Sequence, residues 1–261
     1  MKMKNCAYSE EYKRYVESYQ PLFSADNFHT DTRYFQPVRH LIDGYVLYVD
    51  GYKRERPFWT GIECRLVDGD GETVVQWRSI HGKYDCTIIE HSNGKLYLIV
   101  FHDLPGYSVI DTEAKTIMQY LPECSLALGA CNPKRKPFHC VTFRYNPNNN
   151  LMAVRVATGS SALYLFDFEN PMAENKKYID ITPYLRDEVF AIYDVHDDEE
   201  LAELCLSYIF VKWDGNDMCI HAHDVMFGCS YGPDDWHREE GAILVKEERY
   251  LEWMLTDENW Q

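Results

Sequence analysis

Cys219-Ile220-His221-Ala222-His223-Asp224 places two histidines two residues apart, with Asp214 and Asp217 shortly before them and Asp234, Asp235 and His237 shortly after. On a strand His221 and His223 share a face, and two imidazoles side by side can hold zinc or another transition metal. A site of that kind needs at least a third ligand. Asp214 across a hairpin and His237 from the following loop are best placed to supply it, since Asp224 points away from the His223 face for as long as the strand continues. No His-Glu-x-x-His spacing or second histidine pair is present. His-x-His pairs also occur as ordinary hydrogen-bonded strand residues, so the sequence favours no metal. If one were bound, His221, His223, Asp214 and His237 would hold it.

The segment Cys229-Ser230-Tyr231-Gly232-Pro233-Asp234-Asp235-Trp236-His237 reads as a long loop carrying aromatic and acidic groups between turn residues. Loops of that length are uncommon without a function, so Tyr231, Asp234, Asp235, Trp236 and His237 are expected to belong to a recognition surface. Catalytic signatures are missing. There is no Gly-x-Ser-x-Gly elbow, and Cys131 near His139 is weak support for a Cys–His pair. Gly69-x-Gly71 is followed by a strand rather than by the helix N-terminus that would bind phosphate. Acid pairs such as Asp197-Asp198, Glu239-Glu240 and Glu247-Glu248 are too numerous for any one to mark a carboxylate dyad, and solvated charge explains them. No cofactor is expected.

The elements that would position these groups are mostly strands. Tyr8, Tyr12, Tyr15 and Tyr19 recur at helical spacing, which predicts a short N-terminal helix ended by Pro21. After Asp43-Gly44, short apolar or alternating runs separated by Gly, Asn, Asp and Pro predict successive strands and hairpins. The expected strands run over 45–49, 61–67, 73–78, 87–90, 95–101, 107–111, 116–120, 140–145, 151–157, 162–168, 178–181, 189–193, 206–213, 218–223 and 242–245. A brief helix is expected over 197–206, where the acids of the first turn suit the helix dipole.

The sequence also resembles itself. Leu66-Val67-Asp68-Gly69-Asp70-Gly71-Glu72-Thr73-Val74-Val75-Gln76-Trp77 aligns without a gap on Val109-Ile110-Asp111-Thr112-Glu113-Ala114-Lys115-Thr116-Ile117-Met118-Gln119-Tyr120. The apolar-Asp-turn start recurs at Asp167 and Asp214, and His91-Ser92-Asn93-Gly94 before one strand is matched by Asn146-Pro147-Asn148-Asn149-Asn150 before another. Each Asp is expected at a strand end, accepting hydrogen bonds from turn N–H groups. Lys212-Trp213-Asp214-Gly215 and the stretch from Leu66 to Thr73 resemble the strand-ending Trp-Asp of Trp-Asp-repeat β-propellers, although the Gly-His pair that usually opens such repeats is missing. The resemblance implies an all-β, mainly antiparallel array of about five propeller-like blades, at ~40 to 50 residues per blade, with loop faces that in such proteins most often bind other proteins. Residues 1–43 would be a helix and irregular lead-in, and 44–261 a single repeat-built domain.

Composition bounds the function. With 46% hydrophobic and 15% aromatic residues, the chain has material for a sizeable core and is not disordered. A formal charge of −16 repels phosphate backbones and anionic lipid, so neither nucleic acid nor membrane is an expected partner, despite the basic knot Lys134-Arg135-Lys136. The nine cysteines contain no Cys-x-x-Cys pair, and the N-terminus has no apolar run after Met1-Lys2-Met3-Lys4, so reduced thiols and a cytoplasmic setting are expected. The first expectation is therefore a non-enzymatic protein-binding module for a basic partner. The alternative is a metal-assisted hydrolase or sugar-active enzyme with its site at a channel mouth.

Overall fold

The computed structural model describes residues 3–5, 33–35, 38–41, 44–55, 58–79, 86–101, 106–122, 139–157, 161–194, 196–197, 199–200, 206–224, 242–258 and 260. The tyrosine stripe at 8–19 lies outside them. The chain divides into two compact units, one comprising Met3–Ala130 and the other Met1–Lys2 together with Cys131–Gln261. Mostly antiparallel β structure is what the chain has, and the described strands form four sheets, none of which closes on itself.

In the Met3–Ala130 unit, β2 (Arg33–Phe35), β3 (Val38–His40), β4 (Val46–Glu55), β5 (Phe58–Val67) and β6 (Thr73–Ser79) form one sheet in which β4 and β5 pair along their whole lengths. β1 (Met3–Asn5) joins β10 (Thr116–Pro122), which continues through β9 (Tyr107–Asp111) and β8 (Leu96–Phe101) to β7 (Cys86–Glu90) as an antiparallel meander. Alternation along these strands sends Leu66 and Val74 of one sheet and Leu98, Val100 and Ile110 of the other into one shared core. A strand's period of two makes such a face continuous only in the observed register.

In the second unit, β11 (His139–Asn146), β12 (Leu151–Ala157), β13 (Ser161–Asp167) and β15 (Tyr178–Asp180) form a four-stranded sheet, with the two-residue β14 (Asn175–Lys176) preceding β15. β16 (Leu206–Asp214), β17 (Asp217–Asp224) and β18 (Ala242–Val245) form the other. Two helices complete the core: α1 (Arg186–Tyr193), entered through a 3-10 turn at Thr182–Leu185, and α2 (Glu247–Thr256). Leu165, Ile179, Val189, Phe210, Ile220, Tyr250 and Trp253 pack in one cluster.

The strand expected at 189–193 is part of α1 instead. Pro183 sits where a helix tolerates proline, Asp187 and Glu188 occupy the first turn, and Leu185, Val189 and Tyr193 recur every fourth residue against the core. Of the helix expected over 197–206, residues 199–200 are helical, and the Asp197 carboxylate accepts from the Glu199 and Glu200 N–H groups at 2.9 Å each. Leu206 already belongs to β16.

All four aspartates of the repeated pattern stand at strand ends. Asp68 follows β5, and its Oδ1 accepts from the Asp70 and Glu72 N–H groups at 3.1 and 2.8 Å. Asp111 ends β9, with Oδ1 accepting from Glu113 and Ala114 at 3.0 and 2.9 Å and Oδ2 facing Lys95 Nζ at 3.1 Å. Asp167 ends β13 and accepts from Glu169 at 2.9 Å, and Asp214 ends β16 opposite Asp217. The two matching turns also agree: Asn93 N–H donates to His91 Nδ1 at 3.1 Å as Asn148 N–H donates to Asn146 Oδ1 at 3.0 Å. An imidazole nitrogen thus does in one hairpin what a carboxamide oxygen does in the other.

Burial pushes the Asp111 carboxyl up, but the Ala114 and Glu113 N–H groups and the Lys95 ammonium outweigh it and hold it below the ordinary carboxylate value. Asp111→Ala is expected to cost about 2 kcal/mol, because one nearly buried acceptor serves two turn donors. Asp214→Ala, at an exposed position, should stay within about 0.5 kcal/mol of the parent. A lowered folded-state pKa contributes stability above the ordinary carboxylate range and loses it as pH falls. Urea denaturation at two pH values checks both points: the Asp111→Ala deficit should shrink in acid.

Candidate functional site

The loop residues Tyr231, Asp234, Asp235, Trp236 and His237 lie outside the described residues. His221 and His223 are both on β17, and His221 lies on the face opposite the one on which Met218, Ile220 and Ala222 enter the core. His221 is buried, with Ile209 of β16 and Ala242 of β18 as its cross-strand neighbours. Asp214 is at the hairpin end opposite Asp217, four residues along β17 from His221. At the strand rise that is about 13 Å, too far for one ion. Asp214 therefore does not join the histidines, and no cluster of three or more His, Cys, Asp or Glu able to hold a metal occurs among the described residues.

The structure brings together a different group of residues, the ones that seat α2. Lys246 is the N-cap residue of this helix, with extended backbone and no side-chain cap of its own. The β16–β17 hairpin provides the missing acceptor: Asp217 Oδ1 takes the Glu247 N–H at 3.0 Å, while Oδ2 takes Lys246 Nζ at 2.7 Å. Those two contacts, Lys246 first, hold the Asp217 carboxyl below its ordinary value. Asn216 Nδ2 donates to Glu247 Oε1 at 2.9 Å.

One turn into the helix, the Tyr250 hydroxyl donates to Asn216 O at 2.8 Å and accepts from Asn149 Nδ2 at 3.0 Å. Asn146 Nδ2 donates to Gly215 O at 2.9 Å, and Trp213 Nε1 donates to Arg144 O at 3.0 Å. The β11–β12 turn, the β16–β17 turn and the first turn of α2 are thereby tied by side chains that the asparagine-rich sequence supplies. Burial raises the Tyr250 phenol well above its ordinary value, so it remains a donor at any physiological pH.

Seating α2 in this way fixes which face it shows. Tyr250, Trp253 and Met254 point into the core at helical spacing. Arg249 pairs with Glu188 of α1 and lies over the Trp253 ring, 5.6 Å from its centroid. The opposite face carries Glu248, Leu251, Glu252 and Leu255, all exposed, with Leu251 at 44% and Leu255 at 76%. The two leucines and the two glutamates are each four residues apart, which makes an apolar ridge alongside a row of carboxylates. Such a face offers apolar burial plus attraction of cations by its carboxylates.

No protein-family model, curated protein or solved structure matches the chain. The sequence signal for this face was present in the spacing of Tyr250, Trp253 and Met254, which defines a buried stripe and leaves Leu251 and Leu255 off it. Glu247-Glu248 viewed only as an acid pair conceals that.

Proposed function

We propose that this chain is a non-enzymatic protein-binding module whose acidic surface engages a basic partner protein. The observation that carries the proposal is the outer face of α2, where exposed Glu248 and Glu252 flank exposed leucines that the core does not use. The formal charge of −16 supports it, since a field of that sign attracts cationic partners and speeds their encounter. The meandering antiparallel sheets, each with its strand-ending Asp, are compatible with a propeller-like array of blades offering loop faces to partners, and we place the module in the cytoplasm. No helix among the described residues is long and apolar enough to cross a membrane. The reading as a metal-assisted hydrolase or sugar-active enzyme loses support from the separation of Asp214 from His221.

The test is fluorescence anisotropy with a labelled oligolysine peptide and an oligoglutamate peptide of equal length. Saturable binding of oligolysine that weakens as salt approaches physiological strength is expected, because screening shortens the reach of the carboxylates. Absence of binding, or equal binding of the two peptides, would overturn the proposal.

A further inference from the structure

We infer that the outer face of α2 is a docking surface for a basic amphipathic helix of another protein. This rests on the binding-module reading above and names its partner more closely. Leu251 and Leu255 form an i, i+4 ridge, and ridges of this kind pack into the grooves of a second helix. The ridge lies between Glu247 on one flank and Glu248 and Glu252 on the other, as 100° per residue around the helix requires.

The exposed Lys246 ammonium at the N-cap is held by Asp217 Oδ2 at 2.7 Å and also attracts Glu248, so the carboxylates are only partly offset on the helix itself. Its one basic residue, Arg249, is half-buried, held by Glu188 and lying over Trp253. A matching partner therefore presents apolar residues at i, i+3 or i+4 and i+7, with Lys or Arg beside them. A helix suits the ridge better than an added strand, because the backbone groups in the middle of α2 are spent within the helix and only side chains are on offer. The helix is about 15 Å long, which sets the length of the complementary segment at about ten residues. A second copy of this chain would oppose like charges at the same face, and an anionic lipid surface would do the same.

The probes are two labelled synthetic peptides of identical Leu and Lys composition. One has its leucines at helical spacing, and the other has the same residues permuted so that no apolar face forms. The parent protein is expected to bind the amphipathic peptide at least about tenfold tighter than the permuted one. Leu251→Gln with Leu255→Gln keeps helix-forming residues at both positions, so the variant should fold, which circular dichroism checks. In this variant the preference should disappear while weak binding of both peptides persists. Glu248→Gln with Glu252→Gln should weaken both and flatten their salt dependence.

Equal binding of the two peptides by the parent, or a preference that survives in the double-leucine variant, would sink the docking surface while leaving the binding-module reading standing. Failure of both peptides to bind at any salt concentration would sink both.

Discussion

Lys176→Met is expected to yield a protein that is more stable than the parent at pH 7 and whose stability climbs less steeply as pH is raised above that. Lys176 is 5% exposed and lies on β14, its Nζ donating to Asn170 O at 2.6 Å and sitting 4.3 Å from the Phe168 ring centroid. Burial pushes the amine down to about 7, and the charge of Asp167 only partly opposes this. A base whose folded-state pKa is lowered binds fewer protons folded than unfolded between the two values. Stability therefore rises with pH from about 7 towards the ordinary 10.5, and the penalty is fully developed below about 7.

The slope in that window is at most about 1.4 kcal/mol per pH unit for one group. Methionine fills nearly the same space without a charge to desolvate, so the variant's slope should be smaller by roughly 1 kcal/mol per pH unit. Urea midpoints for parent and variant between pH 7 and pH 9 supply the comparison. That range stays clear of Tyr208, which burial holds up at about 12 and whose contribution is lost only as pH rises beyond the ordinary 10. Parallel curves for the two proteins would show that Lys176 reaches water after all.

Why the strands were legible, and the site was not, follows from which signals are local. Tyr107–Asp111, Leu151–Ala157 and Ala242–Val245 fall where alternation and turn residues put them, because a strand between two polar turns is specified by its own residues. Val189-Phe190-Ala191-Ile192-Tyr193 has strand-like composition and is nevertheless helical, since the Pro183 turn and the Asp187-Glu188 start lie upstream of the run. Asp68, Asp111 and Asp167 were legible as turn acceptors because their donors are two to four residues away, whereas at the β16–β17 turn Asp217 is the carboxylate that accepts, from the distant Glu247 N–H. The seat of α2 was not: Asn149 and Tyr250 are 101 positions apart, and Asn146 and Gly215 are 69 apart. Pairings at such separations are set by sheet packing, on which a single sequence is silent. Exposure of Leu251 and Leu255 is a consequence of those pairings, so the candidate surface became visible only with the fold.

Tyr250→Phe is the complementary expectation, a large loss from one oxygen. The ring is fully buried in the core of its unit and meets the Trp213 ring edge-on at 6.3 Å, and phenylalanine preserves that packing. What it removes is a hydroxyl serving as acceptor to Asn149 Nδ2 and donor to Asn216 O, which leaves two polar groups to find other partners. A cost of about 1–3 kcal/mol is expected, and Tyr250→Ala should cost about 3–5 kcal/mol because a cavity is added. A cycle with Asn149→Ala isolates the contact: a coupling of at least about 0.5 kcal/mol is expected, against near-additivity for sites that share no partner.

The phenol's raised pKa gives a second handle. Its neutral form is the one the fold favours, so its contribution is present below the ordinary tyrosine value of 10.0 and declines as pH rises through and beyond it. The Tyr250→Phe deficit should therefore narrow above pH 10. Because the same hydroxyl ties α2 to both turns, the variant should also bind the amphipathic peptide more weakly although no residue of the outer face has changed. A variant as stable as the parent, with unaltered peptide binding, would mean that packing of Trp253 and Met254 alone positions the helix and that the asparagine-rich turns are incidental to it.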